Sequence, residues 1–526
     1  MAHVTSIDPP TEAKARLPRQ IPYIIGNEAC ERFSFYGMRN ILTVFLVGYL
    51  LVDQADVSLR EREATDIFHL FVMGVYLFPL LGGWLADKWL GKYRTILWLS
   101  LVYCAGHACL AIFEGNKAGF YTGLFLIALG SGGIKPCVSS FVGDQFDQSN
   151  KHLAQKVYDA FYWIINFGSF FASLLIPLTL TRFGPSVAFG IPGLLMFIAT
   201  AIFWAGRKHY VNVPPSPKDP HGFLEIAKTA LLSPGSDGRR PGLPMAVGGV
   251  LLGLGSLFAT PWIGFVSALC LGVVLFLAFF GRALSAQISR ASGLHPEEDV
   301  EGVRTVLRIL VVFFLVTPFW SLFDQKASTW ILQAQAMELP SWGFFESASQ
   351  MQALNPLLVM LLIPFNNMVL YPGLERIGIR VTPLRRMTAG MIFAGFSWIA
   401  AGAIQLTIDA GTQTSILWQV GPYALLTFGE VLVSATGLEF AYSQAPAKMK
   451  GVIMSFWSLS TTVGNLWVLL VNAGMRNQGV QTLVASTGLS QMSFQMFFFA
   501  AFAMAAGLAF GLYAMRYRMV DNYRTA

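Results

Sequence analysis

Glu28, Glu31, Arg32, Tyr36 and Arg39 crowd two carboxylates, two guanidiniums and a phenol into a stretch that is otherwise largely apolar. At about 100° of rotation per residue, Glu28, Arg32, Phe35 and Arg39 fall within one narrow arc of a helix, with Glu31 and Tyr36 on its flanks. An ionisable group in an apolar helix is costly, so it faces an interior cavity or pairs with another charge. Such a stripe suits a proton and substrate site. The plainer reading is a structural ion-pair ladder between helices, because structural pairs perturb protonation as well.

Isolated polar groups recur further along. His69 and Tyr76 share one helical face, and Lys135 follows the run Gly130-Ser131-Gly132-Gly133-Ile134. Tyr162, Asn166 and Ser169 share another face, Trp320 and Asp324 a third, and Asn355, Glu430 with Ser434, and Trp457 complete the set. Each alone has a bland alternative: a hydrogen-bonded structural histidine, or tryptophans that only pack. Lys326 is expected to point away from Asp324, close enough to a span end to reach the interface with its ammonium, and to take no direct part. Asp87 and Glu439 lie next to loops and are expected to gate or to anchor them. The glycine run allows close helix packing.

Enzyme motifs are missing. Gly91-Lys92 is followed by Tyr93 and lacks the earlier glycine of a nucleotide-binding loop, and no His-Glu-x-x-His pair or zinc-spaced Cys/His set occurs. No cofactor or metal is expected beyond protons as the coupling ion. Cys30, Cys104, Cys109, Cys137 and Cys270 all fall in apolar stretches and are expected to be core thiols.

The elements that carry these residues follow from composition. Over 526 residues, 54% are hydrophobic and 12% charged, and the mean hydropathy is +0.55. A water-soluble globule and a disordered chain are both excluded by those values. A membrane-crossing helix takes about 20 apolar residues. Six such runs lie between Ile21 and Ala205, a long run from Leu243 to Phe280 breaks at Ala259-Thr260-Pro261 into a helical hairpin, and six more follow between Ile309 and Tyr513. The expected fold is therefore all-α and integral to the membrane, with fourteen spans. The expected divisions are a tail over 1–20, a six-helix bundle over 21–206, a linker over 207–242 that reads as a polar loop, the hairpin over 243–281, a linker over 282–308, a six-helix bundle over 309–515, and a tail over 516–526.

The net charge of +7 would suggest nucleic acid in a soluble protein, but here the cations lie in loops. Most of the 36 lysines and arginines fall on one side, from Lys14, Arg16 and Arg19 to Arg516, Arg518 and Arg524. The other side has Arg60, Arg62, Lys117, Arg182 and Arg476. Positive loops stay in the cytoplasm, so both termini are expected there, with no cleaved signal. Arg32, Arg39, Lys135 and Lys326 remain inside spans.

Taken as motifs, Glu28-x-x-Glu31-Arg32-Phe33-x-x-Tyr36-Gly37, Phe161-Tyr162-x-x-Ile165-Asn166-x-Gly168-Ser169, Phe323-Asp324-Gln325 and Gly429-Glu430 before Glu439-Phe440 resemble the proton-dependent oligopeptide transporter (POT) family. Gly83-Trp84-Leu85-Ala86-Asp87 leading to Gly91-Lys92-Tyr93-Arg94 is similar to the loop motif of the wider major facilitator superfamily. The resemblance implies two six-helix bundles with inverted repeats, alternating access about a midplane cavity, and, in prokaryotic members, two inserted helices. It also implies symport of di- and tripeptides with protons, driven by an inward proton gradient. A short loop over 409–415 and the lack of any Asn-x-Ser/Thr sequon are similar to bacterial members, which implies an inner-membrane protein, expected to be a monomer among lipid.

The resemblance further implies a role for each residue. Glu28, Glu31 and Arg32 would couple protons, with His69 and Asp324 as further proton-linked groups. Tyr36, Arg39, Tyr76 and Lys135 would orient the peptide carboxylate and backbone. Asn166, Asn355 and Glu430 would receive the amino terminus, and Tyr162, Trp320, Ser434 and Trp457 would line the site. Phe35 stands where many bacterial members have Tyr. Arg39 would pair with Asp324 between the bundles, and Lys135 with Glu430 in the cavity. Two rival functions are a carrier of another solute, such as nitrate or a peptide-like drug, and a membrane enzyme or receptor.

Overall fold

The computed structural model describes residues 17–146, 154–215, 219–234, 238–342, 345–444 and 449–517. Lys14, Arg16, Arg518 and Arg524, among the cations considered above, lie outside them. Among the described residues, fourteen helices are long and apolar enough to cross a membrane. The first six are α1 (Ile21–Leu50), α2 (Val57–Leu90), α3 (Lys92–Ile112), α4 (Lys117–Asp144), α5 (Ala160–Phe183) and α6 (Pro185–Lys208). The hairpin is α7 (Gly242–Ile263) and α8 (Ser267–Ala291). The last six are α9 (Glu297–Gln335), α10 (Ala348–Arg376), α11 (Pro383–Asp409), α12 (Ile416–Ala441), α13 (Val452–Gly474) and α14 (Gln491–Arg516). Among the described residues, extended pairing is confined to two isolated bridges. The all-α, fourteen-span expectation therefore holds.

Local chemistry fixes where spans begin. Asp56 accepts from the backbone N–H of Ser58 and Leu59, and Asn116 accepts from that of Gly119, so α2 and α4 start on capped ends. Gly184, at φ +82°, lets α5 turn directly into α6. Two large cores form around these helices. One gathers side chains from Ile21 to Tyr210, and the other from Phe223 to Phe510. A smaller core of Met73, Cys270, Leu466 and Leu469 seats the hairpin against α2 and α13.

The linker expected to be a polar loop is partly helical. Phe223–Leu232 forms a helix whose Phe223, Ile226, Ala227 and Ala230 are buried in the second core. The Gln287 amide donates to the carbonyls of Ala230 and Leu231 and closes that helix's end. Prolines and charges on either side hide the short apolar period in sequence. The expected linker over 282–308 is likewise mostly helical, as the end of α8 and the first turns of α9.

Among the described residues, four spans contain a π-turn: Leu46–Leu50, Ala86–Leu90, Asn366–Leu370 and Val431–Ala435. Two of them occupy the same place in each bundle, the end of the second span on the face that carries Gln20 and Tyr517. That face is called the terminal face below, and its opposite the distal face.

Candidate functional site

The close crossing of α2, α3 and α4 sets the first wall. A Cβ on Gly132 would meet the Val75 carbonyl, and one on Gly130 would meet the Leu99 carbonyl and Tyr103, so only glycine permits this approach. Lys135 follows directly and projects onto aromatic faces. Its ammonium lies 4.6 Å from the Phe35 ring centre and 4.5 Å from that of Tyr76. Phe35, the departure from the bacterial pattern, thus serves as a cation platform. The expected Lys135–Glu430 pair is not formed. Lys135 rests on rings of its own bundle, while Glu430 is engaged within the other.

On α1, Arg32 Nε lies 3.0 Å from a Glu28 oxygen and 2.5 Å from a Glu31 oxygen. These are charge contacts without alignment, because neither Glu31 oxygen nor Arg32 Nε has a directed hydrogen-bond partner among the described residues. Glu31 is 1% exposed, and Glu28 and Arg32 are buried with it. Arg32 also lies over the Phe35 ring.

Two turns beyond Arg32 on α1, Arg39 donates to Asp324 at 2.7 Å across the two bundles. The second Asp324 oxygen accepts from the Asn465 amide at 2.8 Å, and Asn465 Oδ1 lies 2.6 Å from His69 Nδ1. Since the Asn465 NH₂ also donates to Thr461, its oxygen is the acceptor, which makes His69 Nδ1 the protonated nitrogen. His69 Nε2 is then free to accept from the Ser328 hydroxyl at 2.8 Å. A continuous chain runs from Arg39 through Asp324, Asn465 and His69 to Ser328. Asn465 and Ser328 were not singled out in sequence, although uncharged groups of the same kind, Asn166, Asn355 and Ser434, were.

Lys326 corrects an expectation. It is 4% exposed and does not reach the interface, because the chain continues past it through a 3₁₀ turn over Gln325–Ala327 into the helix Thr329–Gln335. Its ammonium donates to Asn355 Oδ1 at 2.8 Å and sits over the Phe323 ring. The Asn355 amide in turn donates to Glu430 at 2.5 Å and Thr427 at 3.1 Å. A single amide therefore bridges a buried cation and a carboxylate. Glu430 immediately precedes the π-turn Val431–Ala435, which carries Ser434.

Trp320 donates to Ser460 at 3.1 Å and stands edge-on to Trp457, ring centres 5.8 Å apart. A Cβ on Gly437 would collide with the Trp457 ring, so glycine makes room for it. Asn166 donates to the Tyr162 carbonyl of its own helix, and the Tyr162 side chain is exposed. Tyr36, Tyr162, Asn166 and Ser434 are not hydrogen-bonded to the charged clusters among the described residues. Of the two groups beside loops, Glu439 binds Arg386 at 2.8 Å, which ties α12 to α11.

The bonds that join the bundles gather in the distal half. Besides Arg39–Asp324 and the His69 chain, Thr43 donates to the Ala327 carbonyl, and Gln352 to that of Asn40. Nearer the distal surface Asp66 binds Asn472 and Arg476, and Arg182 pairs with Glu346. The Arg182 hydrogen bond, with its charge, holds the Glu346 carboxyl below its ordinary 4.5, against the opposing effect of desolvation.

A sequence profile described as PTR2, POT family, matches residues 93–484. "Solute carrier family 15 member 2" of Danio rerio is 33% identical over 410 residues, which cover 74% of this chain and 50% of that protein. "Peptide transporter family 1" of Drosophila melanogaster is 34% identical over 406 residues, covering 74% and 48%. The chain spans about half the length of the curated relatives it matches. Among solved structures, an auto-inhibited POT family peptide transporter is 65% identical with a TM-score of 0.94, over 97% of this chain and 99% of that one. The POT family transporter PepTSo, crystallised in meso, is 62% identical with a TM-score of 0.94, over 97% and 100%.

Proposed function

The chain belongs to the POT family, and from that premise we propose that it is a symporter that imports di- and tripeptides with protons by alternating access. The observation that carries this is the pair of buried charge clusters on facing bundles. Arg32, Lys135 and the two glutamates line one side, and Lys326, Asn355 and Glu430 line the other. A zwitterionic peptide needs cations at one end and an anion at the other.

Each residue has a task in this scheme. The peptide carboxylate approaches Lys135, Arg32 and Arg39, with Tyr36 and Tyr76 orienting the backbone. The ammonium replaces Lys326 as the cation served by Asn355 and Glu430, and Asn166 supports it. Tyr162, Ser434, Trp320 and Trp457 line the walls. Glu31, whose oxygens have no directed hydrogen bond among the described residues, accepts the proton, Glu28 shares the Arg32 charge, and neutralising either carboxylate weakens the hold on that guanidinium. His69 and Asp324 sit where a second protonation would loosen the Arg39 closure. Opening to the distal side requires that closure to break. The terminal face is taken as cytoplasmic and the protein as a monomer in a bacterial inner membrane. Membrane lipid, protons and peptide are its partners, with no nucleic acid and no cofactor.

The test is accumulation of labelled dipeptide in proteoliposomes under an imposed inward proton gradient. Uptake that collapses with an uncoupler supports the scheme. Uptake of nitrate with no competition by peptides would replace the substrate, and recovery of hydrolysed peptide would turn the reading to an enzyme.

A further inference from the structure

At the terminal face, the end of α8, the first turns of α9 and the last turn of α14 enclose a crevice of about 320 Å³. It lies far from the charged clusters just described. Arg304 and Arg308 stand on one wall, Ser285 on another, and Ile288, Leu307 and Val311 supply its apolar lining. Tyr513 closes the edge with its hydroxyl 3.5 Å from the Arg308 carbonyl, a long contact that leaves the phenol able to donate elsewhere.

The order of groups along α9 is informative. Moving from the terminal face into the span come Glu297 and Glu301, then Arg304 and Arg308, then Val311 and Phe314, which are 42% and 50% exposed. Arg304 lies 3.0 Å from Glu301 and 3.7 Å from Glu297, and Arg308 lies 3.2 Å from Glu301. Each guanidinium has five N–H donors, so most remain without a partner among the described residues. Neighbouring residues of this series lie about one helical turn apart, so acid, base and hydrocarbon contact succeed one another about every two turns, or ~10 Å. A phospholipid with an ethanolamine headgroup presents the complementary order: ammonium outermost, phosphate beneath it, acyl chains below.

We propose that this crevice is a specific site for an aminophospholipid, with its phosphate on Arg304 and Arg308, its ammonium on Glu301 and an acyl chain along Val311 and Phe314. Charge balance selects the headgroup. A purely anionic lipid would find two carboxylates beside the two arginines, and a choline headgroup has no N–H to donate to Glu301. Planar guanidiniums bind phosphate through paired hydrogen bonds, and basic pockets between membrane helices are suited to lipid headgroups. The hairpin forms one wall, so the site brings a lipid between that hairpin and the second bundle.

The experiment titrates the delipidated full-length protein with ethanolamine, choline and glycerol phospholipids of one acyl composition and counts bound lipid by native mass spectrometry. The ethanolamine lipid is expected to bind about tenfold more tightly than the other two, the worth of one charge-assisted hydrogen bond. Arg304→Gln with Arg308→Gln should remove that preference. Glu301→Gln, which keeps both arginines, should turn it toward the glycerol lipid, a gain that misfolding cannot imitate. Equal binding of all three lipids, a parent that prefers the glycerol lipid, or a preference that survives the double substitution would each overturn the proposal. Displacement of the lipid by soluble glycerophosphoethanolamine at equal concentration would overturn it too, because the crevice would then be a small phosphate pocket.

Discussion

Glu31 sits in a position that a carboxylate tolerates only beside a cation, and Arg32 supplies the charge without a directed bond. Glu31→Gln keeps the volume and removes the titration. Gradient-driven peptide accumulation is expected to fall to background in liposomes while peptide counterflow persists. Accumulation equal to the parent's would remove Glu31 from the coupling scheme. At the other pole, deleting the amino group of a dipeptide should weaken binding about 10- to 100-fold, the worth of a charge-assisted hydrogen bond. Glu430→Gln should abolish the difference between the amino and the deaminated ligand in a binding assay, because the carboxylate proposed to read the ammonium is gone. The α1 stripe was legible because like-spaced charges in an apolar helix have no other address. Lys326 was misjudged because Phe323-Asp324-Gln325 looks like a span end, whereas the chain turns once and continues into buried helix. The Lys135–Glu430 pairing followed sign and resemblance, and neither shows that Asn355 already serves Glu430.

At the scale of elements, the apolar periods gave all fourteen spans, since a helix of about 20 apolar residues has few alternatives in water or lipid. The linker helix Phe223–Leu232 escaped notice because its ten residues are too few to stand out between prolines. It changes how the hairpin can be tested. Replacing 243–281 by a flexible polar segment keeps this helix and its Gln287 closure, whereas a cut from 207 to 308 would strip the second core of Ile226, Ala227 and Ala230. The hairpin has no acidic or basic side chain over 243–281, and it touches α2 and α13 through Met73, Leu466 and Leu469. Peptide affinity of the replacement protein, measured by calorimetry, is therefore expected within about threefold of the parent's, less than a kcal/mol. A loss above tenfold in a folded protein would mean that the hairpin shapes the site.

Over the whole molecule, the described bonds hold the two bundles together at the distal face, so the structure is closed there. Arg182–Glu346 is the latch most open to solvent, and its pH dependence has a definite sign. A carboxyl held below its ordinary value contributes to the closed form above that value, and the contribution is lost as pH falls through the depressed one. Spin labels on the distal loops should therefore keep one narrow distance distribution down to pH 4.5 and broaden below it. Glu346→Gln should give the broader distribution at every pH. A distribution that stays narrow in the Gln protein would show that Asp66 and Arg39 close the face without this latch.

The π-turns set a rule for chain length. A helix that closes one turn through i→i+5 bonds stores a residue for which the α register has no place, and the side chains on either side keep their faces. Removing one residue from Ala86–Leu90 or Asn366–Leu370 would return those spans to the α register with the rest of the helix unrotated. Removing one anywhere else would swing every later side chain by about 100°. Single-residue deletions within the described spans thus have four windows in which they leave the polar faces aligned, and one window opens directly after Glu430.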